Sequence, residues 1–549
     1  MNLANLGLAG LNAAMTRLQT AGHNINNADT DGYNRQTVVV SSAGSRNTGF
    51  GFVGQGVQVD SVERSYNNFL YRQLVNAQTS GASLVAYGNE ITQVNNLFGD
   101  PSVGISPALQ NFFDGIQAVA SSPADPAARQ ELLGRASSLV GQINDANAFL
   151  DSQRDNINTQ VTTVVTQINS YVERIRDLNQ QIVVAKASSS GQPPNDLLDQ
   201  RDQALTELSQ LAGVKVIEQD GSFNLTIGNG QLLLGGDTVF PLQAVPSSSD
   251  PSRIVVAYTA PAGAGATTLV ELRDESLTGG SLGGLLQYRR EALDAVQNDL
   301  GRLAVGLAME VNKIHESGYD LNGEQGEAFF TLGDPKVVAG SGNQGDASLS
   351  ASFTDADLLT GKDYRISFDG TDYTVTRVQD GVEVFQGDAD ALPASFDGLE
   401  FEVDGTPQAG DSWLLQPTRD TAGSLKTNLS DPAKIAAAAT DTGDADGGNA
   451  LKLAELQTGK VLGNGSMGLN EAYSQLVNKV AVLTQQNGTA SKAQATLIQQ
   501  NFAAQQAVSG VNLNEEYVNL DRYQEQFRAA SRLIDVSSTL FDTLLGLRS

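Results

Sequence analysis

Between residues 133 and 182, Leu133, Ala136, Val140, Ile143, Leu150, Ile157, Val161, Val164, Ile168, Tyr171, Ile175, Leu178 and Ile182 keep one seven-residue register. Only Asn147 and Arg154 interrupt it. Pro123 and Pro126 mark where such a helix begins, so the spacing predicts a single helix of about 60 residues, about 90 Å long if straight. A helix of that length is the skeleton of a rod, and the rest of the fold has to be arranged along it.

Both ends of the chain also read as helix. Ala4, Leu8, Leu11, Met15, Leu18, Gly22 and Ile25 recur at spacings of four and three, but much of this stripe is small. From Leu513 every seventh residue is large and apolar, through Leu520, Phe527, Ile534 and Phe541, while the companion seam of Tyr517, Gln524, Ser531, Ser538 and Leu545 is half polar. Neither stripe buries enough surface to hold a lone helix in water. The two are expected to pack on each other, to fray in the isolated chain, and to leave apolar surface that neighbouring subunits cover; contacts of this kind that do not close build a helical polymer.

Two further helices are expected. One follows the break "GQPPND", with Asn195 or Asp196 as cap and Leu198, Leu205, Leu208 and Leu211 on one face. The other runs from about Leu285 to Ile314. Between them, Val214–Phe240 has short apolar runs parted by Asp220-Gly221 and Asn229-Gly230, both hairpin signals. Residues 345–418 repeat the style, with Tyr364, Ile366 and Phe368 alternating, a turn at Asp369-Gly370, and Tyr373 and Val375 alternating back. This second insertion carries 14 acidic against 3 basic residues from Asp355 to Asp411, read as a solvated outer face.

Composition narrows the function. At 549 residues the chain exceeds what one core serves. Its formal charge of −28 repels nucleic acid and anionic lipid. Cysteine is absent, which removes thiol catalysis and cysteine metal sites. The two histidines, His23 and His315, stand apart without catalytic spacing and read as structural. An enzyme working through two carboxylates of the acidic insert has no specific constellation to support it. "DTDG" at Asp29–Gly32 and "DLNGEQGE" at Asp320–Glu327 superficially suggest calcium loops, but Gln325 stands where an EF-hand requires Gly, and both read as turns. No cofactor and no metal are expected.

The stretch "HNINNADTDGYNRQTVVV" ends the first helix in Asn, Asp and Gly and turns β-branched within a few residues. Asn26 to Gly32 is a helix stop and tight corner, Gly32 tolerating positive φ, and Thr37 to Val40 favours strand. "NINNADTDGYNRQ" at Asn24–Gln36 resembles the N-terminal signature of the rod, hook and hook-associated axial proteins of the bacterial flagellum, and "GQGVQVDSVERSYNNFLYRQL" from Gly54 resembles the segment that follows it in junction members of that family. "GQPPNDLLDQRDQALTELS" and the last helix, Gly510–Leu547, are similar to further junction blocks. Asp31 stands where the family often has Pro, and Asn67 where it often has Asp.

The resemblance implies a secreted structural adaptor joining hook to filament, exported unfolded through the flagellar type III channel. It implies self-association in a ring or helical layer, hook protein and a second junction protein as axial neighbours, and an export chaperone on the C-terminal helix. The assembly residues expected are Leu8, Leu11, Met15, Leu18, Ile25, Asn26, Asn27, Gly32, Tyr33 and Arg35 at the N-terminus, and Leu513, Tyr517, Leu520, Phe527, Ile534, Phe541 and Leu545 at the C-terminus. The fold class expected is elongated multidomain α+β: a terminal coiled-coil domain (1–80 with 500–549), a long-helix bundle (81–213 with 284–334 and 422–499), a β insertion (214–283) and an outer acidic β domain (335–421). Another flagellar axial protein, or a calcium-dependent surface adhesin, is the alternative.

Overall fold

A computed structural model describes residues 3–49, 51–99, 104–189, 191–263, 266–441 and 445–547. The chain opens with α1 (Leu3–Asn26) and a β-ribbon made of β1 (Gln36–Ser42), β2 (Ser45–Asn47), β3 (Phe52–Gly54) and β4 (Val57–Arg64), folded back antiparallel. Four helices follow: α2 (Asn68–Phe98), α3 (Ile105–Ser121), α4 (Pro126–Ser188) and α5 (Asn195–Leu211). Asn67, in the place of the family's Asp, accepts from Phe69 N and Leu70 N at 3.0 and 3.2 Å and so caps α2 just as well.

The expected long helix is α4, at 63 residues about 94 Å from end to end. Asp125 caps it through Ala127 N at 2.9 Å, and Pro126 occupies its first turn, where no amide hydrogen is needed. The apolar residues of its heptad register are buried except Tyr171, which is half-buried. The two polar interruptions mark where other elements dock. Asn147 lies against Gly423, and Arg154 donates to Gln297 Oε1 at 2.6 Å.

A first β unit continues the chain. A four-strand meander, β5 (Val214–Gln219), β6 (Ser222–Ile227), β7 (Gln231–Gly235) and β8 (Thr238–Val239), precedes a three-strand sheet of β9 (Leu242–Pro246), β10 (Ile254–Gly263) and β11 (Ala266–Glu271). Asp220 and Gly221 both take positive φ, 53° and 79°, as the Asp-Gly hairpin signal requires. Leu225, Leu234 and Val256 from these sheets belong to the same apolar core as the helices.

Next come α6 (Gly280–Tyr288), a π turn (Arg289–Leu293) and α7 (Asp294–His315), where the spacing predicts one uninterrupted helix. The extra residue of the π turn aims Arg289 at Asp274 Oδ2 and Ile254 O, 2.9 and 2.6 Å away. His315 is buried; its Nδ1 donates to Glu327 O at 2.6 Å and its Nε2 accepts from Ala436 N at 2.8 Å. It is therefore a neutral structural tautomer, and burial lowers its affinity for a second proton.

The outer β domain follows β12 (Phe330–Thr331). It holds β13 (Lys336–Ala339), β14 (Ser348–Phe353), β15 (Tyr364–Phe368), β16 (Asp372–Arg377), β17 (Glu383–Asp388), β18 (Ala394–Phe396), β19 (Leu399–Asp404) and β20 (Ser412–Gln416). A five-strand sheet in the order β13-β20-β15-β16-β17 faces a three-strand sheet, β14-β19-β18. Between them lies a second core around Trp413, Tyr364, Ile366 and Phe401, to which the helical body contributes buried Val305.

What ties this domain to the body is a buried charge network. Arg419 meets Asp363 of the outer domain and, at 3.4 Å, Asp294 of α7. Arg253 reaches Asp294 and Asp274 at 3.0 and 2.9 Å. The chain then returns through the one-turn helix α8 (Thr421–Ser424), β21 (Lys426–Thr427) and α9 (Gly448–Glu455) to α10 (Leu469–Ser509), antiparallel to α2, and ends in α11 (Leu513–Gly546). The whole is an elongated α+β multidomain protein.

Candidate assembly interface

α1 and α11 pack antiparallel. Gly7 faces Ile534, Arg17 donates to Gln526 Oε1 at 3.1 Å, and Asn24 donates to Glu516 Oε2 at 3.3 Å. A Cβ on Gly7 would come within 2.8 Å of Ile534 Cγ1 and 3.1 Å of Ala530 O, so glycine is what lets the helices approach there.

The face that α1 turns inward is not the expected apolar stripe. Gly7, Ala14, Ala21 and Asn24 are buried, one position out of step with it. Leu8 and Met15 are 52% and 47% exposed, and Leu11, Leu18 and Ile25 are half-buried. On α11 the inward residues are Glu516 and Ala530, flanked by half-buried Leu520, Phe527 and Ile534, whereas Leu513, Tyr517, Phe541 and Leu545 are exposed. Small and polar side chains bring the backbones together, Ile534 packs over Gly7, and Leu8, Met15, Phe541 and Leu545 remain outside.

The corner is the second half of the interface. α1 stops at Asn26, which is exposed, and Asn27 N bonds to His23 O at 3.1 Å while its Nδ2 reaches the same oxygen at 3.0 Å. Gly32 takes φ +77°, where a Cβ would lie 2.9 Å from that of Gln203. Gly32→Val should therefore cost about 1–3 kcal/mol of local strain and displace Gln203. Limited proteolysis should cut the variant within 27–35 faster than the parent; equal rates would contradict the turn geometry.

Past the turn, side chains lock the corner to three elements. Tyr33 OH donates to Asn24 Oδ1 at 2.8 Å, and Arg35 holds Glu516 at 2.8 Å and Glu515 at 3.2 Å. Asn34 donates twice to Asp199, at 2.7 and 3.0 Å, and Gln36 Nε2 donates to Asp196 Oδ1 at 2.7 Å. Arg64 bridges Asp199 and Asp202 at 2.7 and 2.9 Å and stacks on Tyr66. Burial pushes the carboxyls of Asp199 and Asp202 up, and Arg64 between them opposes that rise.

This joint overturns the capping expectation for α5. Pro194 stands at its N-cap without a side-chain bond, while Asn195 and Asp196 lie in the first turn and reach across to Val62 O and to Gln36 and His23. The acids Asp196, Asp199 and Asp202, about one per turn on one face of "NDLLDQRDQ", are the sequence signal of this joint, interleaved with the leucines that pack α5. At Asp320, Oδ1 accepts from Asn322 N and Glu324 N at 2.7 and 2.9 Å, making a turn. Among the described residues no group of three or more acidic or histidine side chains is arranged to hold a metal, and no helix is long and apolar enough to cross a membrane.

Chains that match this one, with its paired terminal helices, polar corner and long-helix body, are flagellar hook-associated proteins. Residues 91–330 match the helical domain of flagellar hook-associated protein FlgK, and residues 338–417 match the D2-like domain of flagellar hook-associated protein 1. The chain is 38% identical to flagellar hook-associated protein 1 of Escherichia coli and 40% identical to that of Salmonella typhimurium, each over the full length of both chains. The solved structure of the flagellar hook junction protein FlgK from Burkholderia pseudomallei superposes with a TM-score of 0.74 at 32% identity, covering 80% of this chain and all of that one. The chain belongs to the flagellar hook-associated protein 1 family.

Proposed function

We propose that this protein is the structural adaptor at the junction of hook and filament in the extracellular bacterial flagellum, assembling through α1 and α11 rather than catalysing a reaction. The observation that carries this reading is the apolar ridge left in the open by the terminal pair: Leu8 and Met15 on α1, and Leu540, Phe541, Leu544 and Leu545 on α11. A ridge of this kind favours burial against neighbouring subunits. Copies of the chain would form the layer, with hook protein below and a second junction protein above. Before assembly the same α11 ridge suits the groove of an export chaperone, and the pair is expected to fray in the free monomer, consistent with type III export of an unfolded chain.

The test is the double variant Leu8→Glu, Met15→Glu. Both side chains point away from the α1–α11 seam, so the monomer should unfold as the parent does. If each side chain contributes about 1.5 kcal/mol when buried in a neighbour, subunit association should weaken about a hundredfold, and a null strain carrying the variant should swim poorly. Full swimming would refute the assignment of this ridge.

A further inference from the structure

Beside the joint, a cavity of about 500 Å³ opens between the start of α2, α5 and the β5–β6 hairpin. Val75, Leu205, Val216 and Phe223 give it apolar walls. Arg201 lines it too, although only 3% of that residue is exposed, and its guanidinium lies 3.6 Å from the centre of the Phe223 ring.

This arginine is incompletely satisfied. Its Nη1 donates to Gly221 O at 2.7 Å and Asn179 Oδ1 at 3.2 Å, which anchors the hairpin. Nε has no partner, and Arg201 makes no ion pair among the described residues. Asp202, one residue on, is committed to Arg64. A buried cation without a touching anion is costly, and burial lowers Arg201's hold on its proton. At the rim, Arg72 and Lys215 are exposed and likewise form no ion pair among the described residues, and Ile217 is 56% exposed beside them.

Asp202 and Glu218 line the cleft as well, Asp202 held by Arg64, so that Arg72, Lys215 and Arg201 leave it net basic around apolar walls in a chain with 62 acidic against 34 basic residues. We propose that it is a lateral docking site between copies of this chain, receiving a segment of a second copy in which a carboxylate stands beside a bulky apolar side chain. The carboxylate meets Arg72, Lys215 and the edge of Arg201, and the apolar group enters between Val216 and Phe223. Charge complementarity selects the occupant, since the surface of another copy is predominantly acidic. The inference rests on the assembly reading above and names a contact that the terminal helices do not make.

The experiment places a photo-crosslinking amino acid at Ile217 of the full chain, with the same probe at Leu8 as a separate arm, and irradiates assembled flagella. The expected Ile217 product has twice the 57.7 kDa chain mass. Arg72→Glu with Lys215→Glu should lower its yield about five- to tenfold and leave the unfolding midpoint unchanged, since both side chains are exposed. A product with a different axial protein, no product at Ile217 while Leu8 crosslinks, or a yield indifferent to the charge reversal would each overturn the site and leave the terminal-helix reading standing. Silence at both positions would remove the assembly reading and this site with it.

Discussion

Deleting Leu513–Ser549 should abolish swimming in a null strain while leaving the body of the protein folded. No residue of α11 belongs to either apolar core, and the side chains α11 does bury, Glu516 and Ala530, face α1 and the corner. The truncated chain should therefore keep the far-ultraviolet signal of α2–α10 and the fluorescence of the single tryptophan, Trp413, which is buried in the outer domain. It should lose protection along α1, whose inner face of Gly7, Ala14 and Ala21 is too small to hold a helix once its cover is gone. Arg35 would also lose Glu516, its buried partner. Restored swimming by the truncated chain would show that assembly does not depend on α11, a collapsed far-ultraviolet signal would show that the body does, and a collapsed tryptophan signal that the outer domain does.

The second large effect is expected at the base of the outer domain. Arg419→Met removes the guanidinium that meets Asp363 and Asp294; Asp294 keeps Arg253, whereas Asp363 is left in the interior with no ion pair among the described residues. Breaking a buried pair from one side costs about 3–5 kcal/mol, so the urea midpoint read by Trp413 should fall by about 1 M or more, with m near 1–3 kcal/mol/M.

The pH dependence follows from the direction of the shift. Burial already raises the Asp363 carboxyl, and Arg419 opposes that rise. Without the arginine the folded-state carboxyl rises further, so the folded variant binds a proton that the unfolded chain, above its ordinary carboxylate range, does not. Stability is then gained as pH falls. The deficit against the parent should be largest at pH 8, narrow towards pH 5, and shrink further in Arg419→Met with Asp363→Asn. A deficit independent of pH, or a midpoint equal to the parent's at pH 8, would mean that the network does not hold the domain.

Much of this architecture was legible from spacing alone. The heptads of Leu133–Ile182 depend on one period, and burial on one face of a helix enforces that period whatever packs against it. The Asp220-Gly221 and Asp369-Gly370 turns and the Gly32 corner were legible for a similar reason, because positive φ selects the residue locally. Which face of α1 is buried was not legible. Hydrophobicity pointed to Leu8, Leu11 and Met15, whereas close approach to Ala530 and Ile534 selected Gly7, and Ala14 and Ala21 are buried in step with it. The π turn at Arg289 was equally hidden, since what it satisfies, Asp274 and Ile254 O, comes from another segment.

The rod-like helix, the two β inserts, the corner and the family resemblance can all be read along the chain, since each is written in residues that are neighbours or recur at a fixed interval. The meeting of Arg35 with Glu516, the bridge from Arg64 to Asp199 and Asp202, and the pairing of Arg419 with Asp363 exist only in the folded molecule. Charges separated by tens to hundreds of residues carry no periodic mark of their partners. They become a joint only when folding buries them together and removes the water that would otherwise have screened them.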